Sequence, residues 1–472
     1  MRSTNSTLSQ LLTMVCLALA ICLSCMTAAF AAERKPNVIV IMCDDLGHEG
    51  FSSYGSLTYK TPHLDSLAAG GMRFRHCYSQ PICTPSRVQI MTGRYNFRNY
   101  VRFGHLDRTQ KTFGNVLRDA GYATTIAGKW QLTGDTQTVK DFGFDTHCLW
   151  QIGGRASRYW EPRIVENGKV QKDTSDRFGP DVCNDFLVDF IRDNSKRPFF
   201  AYYPMMLPHW PFVPTPDTPE SKGSRQRLGK YDGKKGGEEY FPDMVAYVDK
   251  LVGRLVKTLD EEGLRENTLI LFTCDNGCAT NIVSRMPGRI VNGGKGSMPD
   301  AGTHVALIAN WKGTVPAGKV SDALVDFSDF LPTVAEVSGG NPPTDRVLDG
   351  KSFLPHLLGK PGTTREWIFC HYIRGGAPAE PKQTEKRKKI IASQAKAKQN
   401  KTMGRYARTQ KYKLYDDGRL YDVSSDVLET RAIKAGSASK PAEATRTMLQ
   451  SVHDSMPSWQ PFRSGKSKRP AK

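Results

Sequence analysis

The sequence predicts an α/β protein: a large mixed, mostly parallel sheet sandwiched by helices, followed by a smaller C-terminal α+β subdomain containing an antiparallel sheet. Two observations carry this. Continuous β-branched runs such as 37–43 and 268–273 alternate with helical stretches, the pattern of strands buried on both faces. Beyond about residue 360 the composition turns strongly basic and a hairpin pattern follows. The expected organisation is a signal peptide over 1–32, a main domain over 33–358, a C-terminal subdomain over 359–463 and a basic, disordered tail over 464–472.

The first 32 residues set the expected compartment. Arg2 precedes an apolar run from Leu11 to Leu23, and Ala29-Phe30-Ala31 fits a small-x-small cleavage site. The run is short for a membrane span, and Cys22 and Cys25 lack a small-residue lipobox. The expectation is therefore export, to a periplasmic or extracellular space or a secretory or lysosomal-type compartment, with no stable membrane span once the signal is removed. A net charge of +19 favours polyanionic partners. Export points away from nucleic acid and toward sulfated or carboxylated polysaccharide. The eight cysteines beyond the signal are sparse and irregular, unlike a disulfide scaffold, and Cys274-Asp-Asn-Gly-Cys278 has no second pair to make a zinc site.

Taken in order, Asn37–Cys43 reads as a buried strand that ends in Asp44-Asp45. Adjacent carboxylates at the carboxyl end of such a strand need a partner, and a hard cation suits them; a solvated turn is the plainer alternative. A helix follows over 61–71 and a short strand over 72–78. Next comes Cys83-Thr-Pro-Ser-Arg87. Pro85 suits the first turn of a helix that stops at Gly93, so Cys83 falls at a helix N-terminus, where free N–H groups favour an anion. Arg87 lies one turn further in. Taken alone, this pattern is more often a buried structural cysteine at a helix start.

Residues 112–121 read as a helix and 122–127 as a strand, with Gly128-Lys129-Trp130-Gln131 at its carboxyl end. Residues 149–180 are polar and loop-like and carry no motif. A helix over 181–193 leads to a strand over 197–203 and then to Pro208-His209-Trp210-Pro211, where flanking prolines limit the histidine's backbone freedom. His209 is a candidate acid or simply a packed loop residue. Residues 221–237 look like a mobile basic loop, and apolar positions from Met244 to Leu259 recur at helical spacing. The strand 268–273 ends in Cys274-Asp275-Asn276-Gly277, again placing oxygen donors past a strand end. Lys295 sits in the glycine-rich turn 292–297, which lacks P-loop spacing. Residues 304–310 return to strand, 323–339 read as a helix, 382–413 as a solvated basic segment, and 413–421 as a hairpin.

Jointly, Asp44, Asp45, Asp275 and Asn276 make an all-oxygen set, and Arg87, Lys129 and Lys295 a cationic ring for a tetrahedral anion. At this point the sequence closely resembles the type I sulfatases of the alkaline-phosphatase superfamily. Cys83 to Gly93 matches C-x-P-S-R with its apolar, Thr and Gly continuation, and Gly121 to Trp130 matches G-Y-x5-G-K-W. The Asp-Asp strand end, the Pro-His loop, the Asp-Asn-Gly corner and Gly-Gly-Lys-Gly follow in the family's order, over residues 35–430. The resemblance implies that a formylglycine-generating or other sulfatase-maturing enzyme converts Cys83 to Cα-formylglycine, whose hydrate is the nucleophile. It implies that Asp44, Asp45, the modified residue 83, Asp275 and Asn276 bind Ca²⁺, with Mg²⁺ the alternative. Arg87, Lys129 and Lys295 would hold the sulfate, Asp275 would take a proton from the nucleophile, and His209 would protonate the leaving alcohol. The substrate implied is a sulfate ester, on a sulfated carbohydrate.

One departure stands out. The family usually reads Gly-Lys-Trp-His, and this chain has Gln131, which can hydrogen-bond but cannot act as a base near neutral pH. Two other readings therefore accompany the first: a phosphonate or phosphodiester hydrolase of the same superfamily, and an exported sulfated-glycan-binding protein with an impaired site. Substrate contacts are expected from the loops 150–177 and 205–235.

Overall fold

The computed structural model describes residues 35–154, 157–219, 237–362, 365–373, 404–437 and 439–457. The expected signal peptide, residues 221–236 of the basic loop 221–237, residues 382–403 of the basic segment 382–413, and the tail lie outside these residues. The described residues from Asn37 onward form one compact unit.

Its centre is five parallel strands in the order Thr268–Cys274, Asn37–Cys43, Phe199–Pro204, Ala123–Lys129 and Thr146–Trp150. Every residue of the two strands Asn37–Cys43 and Thr268–Cys274 is buried, as their unbroken apolar runs require. Register pairs Cys43 with Cys274, so Asp44 and Asp275 leave neighbouring strands at the same level. Antiparallel strands extend both sides. Leu307–Asn310 pairs with Thr268–Cys274, and Met72–Tyr78 lies beyond it. On the other edge, Ile164–Glu166 and Lys169–Val170 continue from Thr146–Trp150. Residues 149–180 thus contribute two sheet strands as well as loop.

Helices pack against this sheet. Phe241–Glu261 turns Met244, Val245, Val248, Leu251, Val252, Leu255 and Leu259 inward, the periodic face read from the sequence, and packs on Gly179–Asp193 and Pro62–Ala69. One expected helix is corrected. Residues 319–326 form a strand that runs parallel to Met72–Tyr78, and the α-helix begins only at Phe330. Asp326 stops the strand: its carboxylate accepts from the Ser328 N–H and hydroxyl and nucleates a turn.

The second sheet is antiparallel and four-stranded, in the order Ile368–Tyr372, Gly404–Arg408, Tyr412–Tyr415 and Leu420–Asp422. The expected hairpin is its last pair, while residues 404–408, read as solvated basic chain, form an inner strand. The helix Lys440–Ser455 covers this sheet with Ala442, Leu449 and Val452. Cys370, Tyr372, Tyr406 and Tyr415 of the sheet pack with Ile82, Cys83 and Met298, so the small sheet backs the start of the Cys83 helix.

Candidate active site

The carboxyl edge of the five parallel strands gathers the candidate residues. Asp44 and Asp45 follow the central strand, and Asp275 and Asn276 its neighbour. Lys129 ends a third strand, Trp150 a fourth, and His209 lies on the loop after the fifth. Two backbone bonds set the centre: Asp275 N–H donates to the Cys43 carbonyl at 3.0 Å, and Asp45 N–H donates to Asp275 Oδ1 at 3.0 Å. Asp45 is held with φ 65°, a conformation uncommon outside glycine, and the Asp44 N–H bond to Leu207 O at 2.8 Å helps to keep it there. Gly128 is required beside Lys129: its φ is 125°, and a Cβ would lie 2.0 Å from Pro204 O.

Cys83 opens the helix Cys83–Thr92, whose every residue is buried. Ser86 folds the preceding turn back, exchanging hydrogen bonds with Gln80 N and O at 3.1 and 3.0 Å. Gln80 bonds Gln89 at 2.6 Å, and Gln89 bonds Asp326 at 2.6 Å, which ties the helix to the sheet edge. Ligand atoms of Cys83, Asp44 and Asp275 all lie within 4.8 Å of one another.

Cations surround the carboxylates. Lys129 Nζ donates to both Asp44 oxygens, at 2.8 and 2.7 Å. Arg87 donates to Asp275 Oδ2 at 3.0 Å and to the Lys129 carbonyl at 3.1 Å, and lies 3.6 Å from Asp44. Lys295 Nζ donates to Asp45 Oδ2 and sits 3.1 Å from His209 Nε2. Burial would raise Asp44, but the charges of Lys129, Arg87 and Lys295 hold it well below the usual carboxylate range. Asp275 goes the other way, pushed up to about 7 by burial and by Asp44. His209 Nδ1 faces the Trp210 carbonyl, which can only accept, so that nitrogen carries the proton and Nε2 receives the Lys295 ammonium. Burial pushes this neutral imidazole down to about 3.

The donor set suits a hard divalent cation. It offers three buried carboxylates and an amide oxygen, and Asn276 Oδ1 is buried with no hydrogen-bond partner while its Nδ2 donates to Asp45. The Arg87 Nε is likewise buried and unpartnered. A cavity of about 610 Å³ opens over the centre, lined in part by Cys83, Lys129, Gln131, Arg158, His209 and Lys295.

A family profile described as Sulfatase matches residues 36–340, well over half of the chain. The chain belongs to the sulfatase family. It is accordingly a sulfuric ester hydrolase. This sulfatase is 32% identical over 384 residues to an N-acetylgalactosamine-6-sulfatase of Canis lupus familiaris, covering 74% of this chain and 70% of that protein. It is 28% identical to arylsulfatase A of Homo sapiens over 472 aligned residues, covering 90% and 88%. It shares its fold, at TM-score 0.67 and 22% identity over 89% of this chain and 97% of the other, with a protein solved in complex with its substrate D-glucosamine-2-N,6-O-disulfate.

All nine residues named from the sequence converge at this one edge. Gln131 stands at the cavity wall with φ 53°, 8% exposed, and its Oε1 has no hydrogen-bond partner. The sequence reading expected contacts from the loop 150–177 without naming Arg158. It comes from the stretch in which no motif was placed, and its guanidinium lies 3.6 Å from Asp44 and 4.1 Å from the centroid of Trp150. A lone arginine in a polar loop carries no local signal.

Proposed function

We propose that this sulfatase removes sulfate from a sulfated carbohydrate through a formylglycine made from Cys83 and a divalent cation, Ca²⁺ or Mg²⁺, held by Asp44, Asp45, Asp275 and Asn276. The observation that carries this is the meeting of those four oxygen donors with Cys83 at a helix N-terminus, ringed by Arg87, Lys129 and Lys295. Formylglycine would supply the attacking oxygen and the cation would polarise the sulfate.

The chain's own side chains do the rest. Arg87, Lys129 and Lys295 neutralise sulfate oxygens and the charge that grows on them in the transition state, in a buried site where each donor counts for more than in water. Asp275, beside residue 83, accepts the proton released by the attacking hydroxyl. His209 Nε2 accepts from Lys295 in the resting site and would relay a proton from that ammonium to the leaving alcohol oxygen, the negative charge of the bound ester favouring its transient protonation. The carbohydrate reading rests on the rim. Phe103, Trp150, Trp160 and Trp210 line the cavity, Trp210 with 39% of its surface exposed, which suits the apolar faces of a pyranose. The names of the N-acetylgalactosamine-6-sulfatase relative and of the bound disulfated glucosamine support a glycosaminoglycan-type sugar. Export through the N-terminal 32 residues completes the proposal, with a sulfatase-maturing enzyme as its obligate partner. Among the described residues no helix is long and apolar enough to cross a membrane.

The test is mass spectrometry of the peptide bearing residue 83 from protein made with a maturing enzyme, together with metal analysis and sulfate release from 6-sulfated amino sugars. Formylglycine with one bound divalent ion per chain and free sulfate is expected. An unmodified thiol in active protein would overturn the nucleophile. Faster hydrolysis of phosphate than sulfate aryl esters would overturn the substrate class.

A further inference from the structure

Arg158 presents to the pocket an Nη1 donor that no oxygen of the protein accepts. Both Asp44 oxygens already accept from Lys129, at 2.8 and 2.7 Å. Arg158 Nη1 stands 3.6 Å from Asp44 Oδ2, beyond hydrogen-bond distance, and is buried without any hydrogen-bond partner. A buried guanidinium N–H left unpaired is costly, so a well-held one in a substrate pocket marks the place of an incoming acceptor.

The residue is well held. Its guanidinium lies over Trp150 at 4.1 Å from the ring centroid, a cation–π contact, with 13% of the side chain exposed. The residues beside it lock the segment to the His209 loop. Tyr159 Oη donates to the carbonyls of Met206 and His209, and Trp160 Nε1 donates to Pro214 O at 2.9 Å. The Nη1 donor is therefore presented next to Asp44, on the cavity wall it shares with Cys83, Lys129 and Lys295.

Resting on the sulfatase reading above, we propose that Arg158 is a sulfate-contacting residue, donating Nη1–H to an oxygen of the sulfate group as a fourth cation beside Arg87, Lys129 and Lys295. Four cationic side chains then face the three carboxylates Asp44, Asp45 and Asp275, a surplus of one before any metal charge is added. A surplus of positive charge favours the doubly charged inorganic sulfate over the singly charged ester, which makes sulfate a sensitive probe of this donor.

The experiment compares wild type, Arg158→Met and Arg158→Lys, all matured at residue 83. It measures inhibition by inorganic sulfate, kcat and KM on an aryl sulfate, and melting temperature. Arg158→Met is expected to weaken sulfate inhibition by roughly tenfold or more and to lower kcat/KM, with Arg158→Lys recovering part of both. If Arg158→Met inhibits within about twofold of wild type, the assignment is overturned, whatever the change in rate. The same holds if Arg158→Lys, folded by its melting curve, loses activity with unchanged sulfate inhibition, which is the signature of a merely structural arginine. Failure of the parent reading looks different: wild type itself would then hydrolyse no sulfate ester.

Discussion

Two buried charge clusters in this sulfatase have similar membership and opposite character. One is the centre at the sheet edge. The other lies where the small sheet meets the main domain. There, Arg408 donates to Asp300 Oδ1 at 2.6 Å and to the carbonyls of Thr409 and Gln410, and stacks 3.8 Å over Tyr78. Lys413 donates to Glu429 at 2.8 Å and to Met298 O at 2.6 Å, and Tyr415 Oη donates to the other Glu429 oxygen. Each guanidinium and ammonium in that cluster has its acceptors. At the sheet edge, Arg87 Nε, Arg158 Nη1, Asn276 Oδ1 and Gln131 Oε1 are buried without hydrogen-bond partners, and Arg158 and Gln131 line the cavity there. Burial and charge alone therefore do not separate a site from a strut. Unmet hydrogen-bonding capacity facing a cavity does.

The comparison breaks most plainly at Cys83. Cys83→Ala should abolish sulfate-ester hydrolysis, a loss of roughly 10⁴-fold or more, while the melting temperature stays within a few degrees of wild type. Steady-state assay and thermal melting check both halves; residual turnover near the wild-type rate would remove residue 83 from the chemistry.

Lys413→Met tests the other cluster. It removes the ammonium that neutralises the buried Glu429 carboxylate, so a destabilisation of about 3–5 kcal/mol is expected. Chemical denaturation measures it, and kcat per folded molecule should hold. A variant as stable as wild type would mean that the cluster is not a strut.

Acid should find the same boundary. Burial, with Arg405 nearby, pushes His371 of the small sheet down to about 3, whereas an unfolded histidine titrates near about 6.5. The group is thus neutral in the fold; its contribution is fully present above about pH 6.5 and is lost as pH falls toward 3. Asp300 adds to this lower down: burial would raise it, yet Arg408 and Lys413 hold it at about 2, so its contribution fades as pH drops below about 4. Melting temperature should fall on acidification from neutrality, and His371→Gln should flatten the upper part of that slope. Superimposable pH profiles for the two proteins would exclude His371 as the cause.

The smallest expected effect is at Gln131. Gln131→His places a group that can accept a proton near neutrality where the glutamine oxygen now has no partner, and should raise kcat by up to about tenfold with KM little changed. An unchanged kcat would show that another group already fills that role.

Much of this was legible in the chain. Strands 37–43 and 268–274 announce themselves because burial on both faces demands unbroken apolar runs, and the polar residues just past them mark the sheet's carboxyl edge. The Cys83 helix is legible because Pro85 and Gly93 are local start and stop signals, respectively. What failed was non-local. Residues 323–326 have an apolar pattern that either a helix or a strand satisfies, and pairing with Met72–Tyr78, some 250 positions away, decided for strand. Inner-strand residues 404–408 looked like solvated basic chain because Arg405 and Arg408 find their partners only across the fold.

The chain alone determined which residue types exist to do the chemistry, and where strand ends would deliver them, because secondary-structure periods and turn signals are properties of neighbours in sequence. Tertiary structure decided which charges are spent on one another and which remain free. Lys129 and Lys413 read alike as lysines; only the packing shows that Lys129 shares its carboxylate's surroundings with Arg87, Arg158 and an open cavity, while Lys413 is closed in between Glu429 and Met298. Pairing between groups distant in sequence is set by the fold, and it is that pairing which left Arg158 with a donor to offer.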